Sequence, residues 1–219
     1  MKNILLTVIT AMLTLSCSAA DKETKVLIVT NLGKITIKLY DETPQHRDNF
    51  IKLVNDHTYD SLLFHRVIKQ FMIQAGDINS KNATPEDKLG SGDLGYKVPA
   101  EIVFPKFFNK RGQLCAARQS DEANPSRASS ASQFYIVTGK HYTAYELDKM
   151  EKDRGITLTP EQREAYMIDG GAPHLDGAYT VFGEVIKGMN VVEKIELTPT
   201  DGSDRPIKDV RIKTMKLLK

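Results

Sequence analysis

The sequence lacks an excess of charge of either sign. Thirty lysines and arginines stand against 28 aspartates and glutamates, so the 219-residue chain has a formal net charge of +2 at pH 7. The charges are interleaved, which is typical of a solvated surface, and their balance gives no electrostatic argument for a nucleic-acid partner. No long low-complexity tract occurs, and the length suits one large or two small globular domains.

Cysteine is scarce, with Cys17 and Cys115 the two in the chain. A mature chain that has lost Cys17, or carries a lipid on it, retains Cys115 alone and has no intramolecular disulfide. Cys115 lies in a small, apolar stretch over 112–117 with no acid or base beside it in sequence. This pattern predicts a buried and unreactive core thiol.

Long hydrophobic runs are also missing, apart from Ile4–Leu15, which follows Lys2. This run is too short to span a bilayer comfortably and is typical of a secretory signal. Two cleavage sites compete behind it. The Leu-Ser-Cys run at 15–17 resembles a bacterial lipobox, although Thr14 replaces the usual aliphatic residue, whereas Ser-Ala-Ala at 18–20 suits an ordinary signal peptidase.

We favour lipidation, because a cysteine at this position is otherwise unusual. The sequence then predicts a signal peptide over 1–20, a short linker over 21–25 and one domain over 26–219. It also predicts an exported, periplasmic protein that a lipid on Cys17 anchors to the cell envelope. The competing site would release a soluble protein that begins at Asp21.

The motifs of conventional enzymes are absent from the sequence. None of the five histidines has a second histidine, cysteine or carboxylate at metal-ligand spacing, so we expect no metal site. No Gly-x-Ser-x-Gly elbow occurs, and Ser129, Ser130 and Ser132 have no histidine nearby in sequence. The closely spaced glycines over 90–95 lack the flanking strand and helix of a phosphate loop, which favours flexible turns.

Short apolar or alternating segments dominate what is present. They predict strands over 26–29, 34–39, 62–68, 71–75, 114–117, 132–137, 180–185 and 210–213. Two helices frame these strands, one beginning at Pro44 with Thr43 as its N-cap and the other over 189–195. The pattern favours a mainly β fold, a closed eight-stranded antiparallel barrel capped by two helices, over alternating β-α-β units.

One segment, at about 141–170, departs from the strand pattern. It holds two helical stretches, 145–153 and 159–167, and a Thr-Pro-x-Gln capping-box arrangement opens the second. The segment is too short to bury a core of its own, so we expect a helical insertion and not a second domain. It either extends or gates a binding site, or it is a solvated decoration.

Arg66 is the most informative single residue, because it lies in the apolar strand Phe64–Ile68. A guanidinium is costly there unless it has partners or a function. Simple alternation places Phe64 and Ile68 on the same side as Arg66. An arginine that faces inward from a strand usually forms an ion pair. Gln74 adds a polar group to the neighbouring strand, beside Met72. The residues alone leave a structural ion pair and a functional cation both open.

Three segments in order carry a resemblance to a known family. Residues 64–77, Phe-His-Arg-Val-Ile-x-x-Phe-Met-Ile-Gln-x-Gly-Asp, resemble the signature segment of the cyclophilins. Residues 132–136, Ser-Gln-Phe-Tyr-Ile, resemble the family's Ser-Gln-Phe-Phe-Ile, and residues 175–185 resemble its Leu-Asp-Gly…Val-Phe-Gly-x-Val segment. The similarity spans roughly residues 26–217, and three motifs in sequence are much more specific than one.

The resemblance implies a monomeric peptidyl-prolyl cis-trans isomerase that uses no cofactor and acts on proline-containing peptides and on unfolded or folding proteins. Carried over by position, Arg66 would be the catalytic residue. Gln74 and Gln133 would hold the peptide backbone, and Ala117 and Arg118 would stand beside the proline pocket. The other substrate-binding residues, most of them lining that pocket, would be Phe71, Met72, Tyr135, Leu175, Tyr179 and Phe182.

The chemistry of the reaction suits these residue types. Rotation about an X–Pro bond breaks no covalent bond and only loses amide resonance, against a barrier of about 18–20 kcal/mol. Twisting makes the proline nitrogen pyramidal and more basic, so a guanidinium that donates a hydrogen bond to it favours the twisted state over the planar one. An apolar pocket would hold the ring and exclude water.

Three departures from the family pattern lie in the same segments. Tyr179 replaces the histidine of many eukaryotic members, and Arg118 replaces the usual asparagine. His174 stands where a tryptophan supports cyclosporin binding in drug-sensitive members, so we expect weak cyclosporin affinity. A rival function is a proline-directed peptide-binding chaperone with incidental turnover. That role does not require a cation at the proline nitrogen, so Arg66 favours the isomerase.

Overall fold

Buried and more exposed side chains alternate along the first two strands of this chain, at 25–30 and 34–39. The structure, a computed structural model, describes residues 23–218. The predicted signal peptide, the start of the linker and the lipidation candidate Cys17 lie outside the described residues. Within 23–218, no helix combines the length and the apolar character needed to cross a bilayer.

The described part of the chain holds ten strands and four α-helices. The strands are β1 Lys25–Thr30, β2 Lys34–Leu39, β3 Phe64–Ile68, β4 Met72–Ala75, β5 Lys97–Val98, β6 Gln113–Ala116, β7 Ser129–Ser130, β8 Phe134–Val137, β9 Val181–Lys187 and β10 Ile212–Leu218. The helices are α1 Pro44–Asn55, α2 Ala144–Arg154, α3 Pro160–Ile168 and α4 Met189–Glu196. Two short 3-10 helices cover Ile78–Asn82 and Pro173–Leu175.

Eight strands form one curled antiparallel sheet in the order β10-β1-β2-β9-β6-β8-β4-β3. The other two, β5 and β7, pair separately. Sequence neighbours β1 and β2 form a hairpin, as do β3 and β4, whereas β9 joins β2 to β6 across the sheet. The predicted mainly β, eight-stranded antiparallel architecture is confirmed.

The two ends of this sheet meet along a short seam. Its end strands, β3 and β10, form no ladder with each other among residues 23–218. One isolated bridge joins Leu63 to Arg211, and the Phe64 N–H donates to the Val210 carbonyl at 2.8 Å. The contact stops where β3 begins. The sheet is therefore a half-barrel with a short seam, and the fully closed barrel stays a prediction.

The sheet has two apolar faces because side chains alternate along its strands. The interior face encloses the main core, with fully buried residues such as Ile28, Ile37 and Ile136. Helices α1 and α4 cover this core through Phe50, Leu53, Val54, Val191, Val192 and Ile195. The opposite face carries a smaller cluster around Met72 and Tyr135. This second cluster is the side on which the candidate site lies.

A residue distant in sequence caps the start of α1. Thr43 occupies the N-cap position as predicted, yet its hydroxyl donates to the Tyr40 carbonyl at 3.4 Å. The Glu101 carboxylate instead accepts from the N–H groups of Gln45 and His46, at 3.0 and 2.9 Å. A carboxylate at this end satisfies free donors and complements the helix dipole.

The insertion folds as the two helices α2 and α3, as its pattern predicts. At α3 the Gln162 N–H donates to Thr159 Oγ1 at 3.2 Å, and the Thr159 N–H donates to Gln162 Oε1 at 2.8 Å, which is the predicted capping box. The buried side chains of the insertion, among them Tyr166, pack on Phe108, which lies outside the insertion. The insertion completes its core only against the rest of the domain, as its short length requires.

Strand β3 holds a buried, uncharged histidine. His65 is 3% exposed, and neither ring nitrogen has a hydrogen-bond partner among the described residues. Burial lowers the pKa of His65 from 6.5 to about 4, against the opposing effect of the nearby Asp77 carboxylate. Between these two pH values the unfolded chain binds a proton at His65 that the folded chain does not.

We expect His65 to make the fold sensitive to acid. Because the folded-state pKa of His65 is depressed, its contribution to the free energy of unfolding is fully present above pH 6.5. The free energy of unfolding then falls by roughly 3 kcal/mol for this group as the pH drops toward 4. Denaturant unfolding at a series of pH values measures this fall, and His65→Leu should reduce it. His57→Leu is the matched control, at a side chain that is 69% exposed. Identical pH profiles for the two variants would contradict the assignment to His65.

Candidate active site

The β3–β4 hairpin positions the candidate catalytic arginine. The two strands are antiparallel with Arg66 opposite Gln74, and Gln70, at a φ of 57°, turns the chain between them. The register shifts between Phe64 and Arg66, so His65 is an extra residue in a β-bulge. Because strand side chains alternate, such a bulge reverses the faces of the residues that follow it.

This bulge corrects the expectation drawn from simple alternation. Phe64 and Val67 lie in the interior core, whereas Ile68 packs on the opposite face. Arg66 lines a cavity on that opposite face. Phe64 and Arg66 are therefore on different sides of the sheet. The guanidinium avoids the interior core of the sheet, so the cost of burying a charge there does not arise.

Arg66 pairs with a carboxylate at the surface. Its Nε lies 3.5 Å from Asp204 Oδ2, and the two side chains are 43% and 45% exposed. The alternative of a buried structural ion pair is therefore wrong. An ion pair this exposed contributes about 0–1 kcal/mol and rearranges easily. The Val67 N–H donates to the Asp204 carbonyl at 2.8 Å, which fixes the Asp204 loop beside β3.

Arg66 forms one wall of a surface cavity of about 160 Å³. Nine of the eleven residues that the sequence singles out for substrate contact line it. They are Arg66, Phe71, Met72, Gln74, Ala117, Arg118, Tyr135, Leu175 and Tyr179. These side chains come from five separate parts of the chain and combine a guanidinium, an amide and an apolar wall. Such a cavity can bind an amide whose nitrogen belongs to an apolar ring.

Gln133, the tenth candidate, lies directly behind the cavity. Its Oε1 accepts from Gln74 Nε2 at 3.0 Å, and its own Nε2 donates to the carbonyls of Gly90 and Gly92, both at 3.0 Å. These carbonyls fix the orientation of the Gln133 amide and, through it, that of Gln74. Gln133 itself lines a neighbouring cavity of about 180 Å³.

The glycine-rich loop has a structural use in this region. Asp77 Oδ1 accepts from the Asn79 N–H at 2.8 Å, and Asp77 Oδ2 accepts from the Gly90 N–H. A Cβ at Gly92 would lie 1.9 Å from Asp77 Oδ1, so a larger residue here would displace the Asp77 carboxylate from its hydrogen bonds. The loop is closed around a carboxylate of the chain itself, in agreement with turn chemistry and not phosphate binding.

Phe182, the eleventh candidate, does not reach the cavity, which corrects the prediction that it lines the proline pocket. Phe182 is 3% exposed and lies in the interior core, with its ring centroid 5.5 Å from that of Phe50. Its neighbour Val181 packs in the cluster on the cavity side. Alternation along β9 explains the difference, because adjacent residues of one motif point to opposite faces.

Arg118 and Tyr179, two of the departures from the family pattern, lie against each other. The Arg118 guanidinium is 4.4 Å from the Tyr179 ring centroid. Its Nε donates to the Ala178 carbonyl at 2.8 Å, and its Nη1 contacts Asp121 Oδ1 at 2.6 Å. The Arg118 side chain is 4% exposed. The stack is therefore a fixed part of the cavity wall and not a mobile cation.

Cys115 stands behind the cavity as the buried thiol that the sequence predicts. It is fully buried, and burial raises the pKa of its thiol, which keeps it protonated and unreactive. Its Sγ lies 3.4 Å from Oδ1 of Asn109, a buried residue that sequence reasoning missed. Asp176, another buried polar residue here, was visible only as part of the Leu-Asp-Gly motif.

A serine, a histidine and a glutamate meet elsewhere in the fold, which the sequence did not predict. His46 Nδ1 lies 2.6 Å from Glu101 Oε2, and its Nε2 lies 2.9 Å from Ser129 Oγ. The order matches a hydrolase triad. Ser129 and His46 are 1% and 4% exposed, however, and the adjoining cavity measures about 10 Å³. A substrate carbonyl cannot reach this hydroxyl, so the arrangement is structural and ties β7 to α1.

Comparisons with known proteins agree on one family. The family model described as cyclophilin type peptidyl-prolyl cis-trans isomerase/CLD matches residues 25–217. A peptidyl-prolyl cis-trans isomerase of Arabidopsis thaliana is 32% identical over 188 residues, 85% of this chain and 91% of that protein. The peptidyl-prolyl cis-trans isomerase-like 2 protein of Rhizopus delemar is 32% identical over 90% of this chain. This chain spans 29% of the Rhizopus protein and 38% of a Streptococcus pyogenes relative.

Solved structures give the same result. The crystal structure of a cyclophilin type peptidyl-prolyl cis-trans isomerase of Cryptosporidium parvum is similar with a TM-score of 0.64 and 25% identity, over 90% of this chain and 98% of that one. A second structure of that protein, in the presence of the dipeptide Ala-Pro, is similar with a TM-score of 0.62 and 25% identity, over 89% and 99% of the two chains.

The rim of the cavity provides a test of ligand specificity. His174 is exposed beside Phe71, with 5.2 Å between the ring centroids. We expect weak cyclosporin binding, because an imidazole buries less apolar area than the indole at this position in drug-sensitive cyclophilins. Calorimetric titration measures it, and His174→Trp should raise the affinity by about tenfold. His141→Trp, beside a different cavity, is the control. Nanomolar binding by the wild type would contradict the prediction.

Proposed function

This chain belongs to the cyclophilin-type peptidyl-prolyl cis-trans isomerase family, and from that membership we propose that it accelerates rotation about X–Pro bonds in exported, folding proteins. We further propose that Arg66 is the catalytic residue and that the protein acts as a monomer. The observation that carries the proposal is the cavity in which the Arg66 guanidinium meets the apolar side chains of Phe71, Met72 and Leu175.

The binding step uses the two kinds of surface in this cavity. The proline ring packs on the apolar side chains, which grip it while the preceding amide rotates. Gln74 binds the peptide backbone, and its orientation is supported by the hydrogen bond to Gln133. The similarity to a cyclophilin type isomerase crystallised in the presence of Ala-Pro supports a proline-containing ligand here. A cavity of about 160 Å³ suits one small ring, with the rest of the peptide outside.

The catalytic step depends on one charge-assisted hydrogen bond. As the amide twists, its nitrogen loses resonance, becomes pyramidal and accepts a hydrogen bond that the planar amide accepts poorly. The Arg66 guanidinium donates this bond, so the interaction lowers the free energy of the twisted state more than that of the planar one. A bound peptide covers the half-exposed side chain and removes water, which strengthens the interaction. Arginine suits the role because it stays charged.

Asp204 supports this role without fixing the arginine rigidly. Its exposed contact with Arg66 costs little to rearrange, so the guanidinium can turn toward a bound peptide. The Asp204 backbone, held to Val67, keeps the carboxylate close enough to restrict the range of that motion. Arg66 is thereby oriented before substrate arrives while remaining available to it.

Replacement of Arg66 tests the catalytic proposal. Arg66→Ala should lower kcat/KM for a proline peptide by about 10²–10³-fold, mainly through kcat, because the lost hydrogen bond belongs to the transition state. Exchange spectroscopy on a peptide with both isomers measures the rate. Arg66→Lys keeps the charge but loses the planar fork and should recover only part of it.

Arg47→Ala is the matched control for Arg66→Ala, because Arg47, on α1, forms surface ion pairs with Asp48 and with Asp41 just before the helix. It should leave the isomerase rate unchanged. Peptide binding with no acceleration by the wild type would instead favour the proline-directed binding chaperone. An unchanged kcat in Arg66→Ala would remove Arg66 from the catalytic role.

The proposal of exported substrates rests on the N-terminal sequence. The apolar run behind Lys2 and the lipobox-like Leu-Ser-Cys at 15–17 support export and a lipid anchor on Cys17 in the cell envelope. Mass spectrometry of the mature protein from a bacterial host should find an N-terminal cysteine that carries lipid. Cys17→Ala should abolish the lipid and shift the protein to the soluble fraction. An unlipidated chain that begins at Asp21 would instead establish ordinary signal-peptidase cleavage.

A further inference from the structure

A buried carboxylate joins the inserted helix α3 to the body of the domain. Asp176 is 7% exposed, and its Oδ2 accepts from the Tyr166 hydroxyl of α3 at 2.6 Å. Its Oδ1 accepts from the backbone N–H and the side-chain Nδ2 of Asn109, at 2.8 and 3.0 Å. Burial raises the pKa of the Asp176 carboxyl because a buried charge is costly, and these three donated hydrogen bonds oppose that effect.

Asn109 continues the hydrogen-bond chain to the cavity. Its Oδ1 accepts from the Tyr135 hydroxyl at 3.1 Å and from the Cys115 thiol at 3.4 Å. Tyr135 lines the cavity, and its ring packs edge-on against Tyr179 with 5.9 Å between centroids. The chain Tyr166–Asp176–Asn109–Tyr135, which we call the buried relay, therefore runs from the insertion to a side chain that faces the substrate.

The buried relay has a single direction. Asp176 Oδ1 accepts from the Asn109 backbone N–H, so it is an acceptor, and the Asn109 amide must point its NH₂ group at it. Its oxygen is then left for Tyr135, whose hydroxyl has to donate. At the other end, the Tyr166 hydroxyl donates to Asp176 Oδ2. Because the four side chains are at most 7% exposed, water cannot readily replace a lost partner.

The insertion also contacts the same segment through its other helix. Arg154, the last residue of α2, donates from Nη1 to the Pro173 carbonyl at 2.7 Å. Pro173 begins the short 3-10 helix that ends at Leu175, another residue of the cavity wall. Both inserted helices are thus attached immediately beside cavity-lining residues, which a solvated decoration would not require.

We propose that Tyr166 of the insertion is a positioning residue for the isomerase site, acting through the buried relay to hold the Tyr135 ring in its place in the cavity. The proposal rests on the proposed function for its meaning in catalysis. None of Tyr166, Asp176 and Asn109 lines the cavity. Their influence on the substrate therefore passes through Tyr135, and this dependence can be measured.

A double-mutant cycle between Tyr166 and Tyr135 tests the proposal. Tyr166→Phe removes one hydroxyl and keeps the ring, so the packing of the ring in its cluster is preserved. We expect KM for a proline peptide to rise about 3–10-fold with kcat little changed, because the pocket wall contacts the ring in both ground and transition states. Tyr135→Phe should raise KM similarly. In the Tyr135→Phe background, Tyr166→Phe should change KM by less than about twofold.

Tyr142→Phe is the matched control. Tyr142 packs edge-on against Tyr166 at 6.2 Å in the same cluster, but its hydroxyl is not part of the buried relay. It should leave KM unchanged. Equal effects of Tyr166→Phe in the wild-type and Tyr135→Phe backgrounds would overturn the proposal. A lower melting temperature of the Tyr166→Phe variant, with no change in its KM, would also overturn the proposal.

Peptide affinity separates this inference from the proposed function. The wild type, the two single variants and the double variant are titrated with a proline peptide and followed by nuclear magnetic resonance. The resulting Kd values do not depend on turnover. If the wild type binds the peptide but does not accelerate isomerisation, the catalytic proposal fails while the cycle in Kd still decides the relay. Coupling in Kd supports the relay, and additive changes in Kd overturn it.

Discussion

The β-bulge at His65 is the constraint on which the site depends. Without the extra residue, β3 would alternate regularly and Arg66 would point into the same interior as Phe64. With it, Phe64 and Val67 fill the core while Arg66 reaches the opposite face. One inserted residue thus lets a single strand complete an apolar core and present a cation. The same residue brings a cost, because His65 itself is buried without partners for its ring nitrogens among residues 23–218.

The site combines a loosely held cation with a rigidly held wall. Arg66 makes one long, exposed contact to Asp204, which leaves it free to adjust. Tyr179 is packed under the Arg118 guanidinium, and Tyr135 is hydrogen-bonded from behind. This division suits an isomerase, in which the ring must stay still while the amide rotates. In the proposed mechanism the donor follows a nitrogen whose geometry changes along the reaction, whereas the wall does not.

Much of this could be predicted from the sequence, because alternation and capping signals are local. The strands, the capping box at Thr159 and the burial of Cys115 follow from short patterns, and nine of the eleven candidate site residues line one cavity. What escaped prediction depends on residues that meet only in the fold. Glu101 caps α1 from a distant loop, and Asp204 reaches Arg66 from the far end of the chain. The side taken by Phe182 depended on the alternation within β9, which the motif does not reveal.

The directionality of the buried hydrogen bonds has a consequence for how this protein can change over evolutionary time. An aspartate at position 109 would set two carboxylates against each other, and a phenylalanine at 135 would leave the Asn109 oxygen with a weak thiol donor alone. Positions 109, 135, 166 and 176 are thus not independent. Among relatives that carry such an insertion, these four positions should vary together, and a lineage that lost the insertion would be released from keeping tyrosine in the pocket wall.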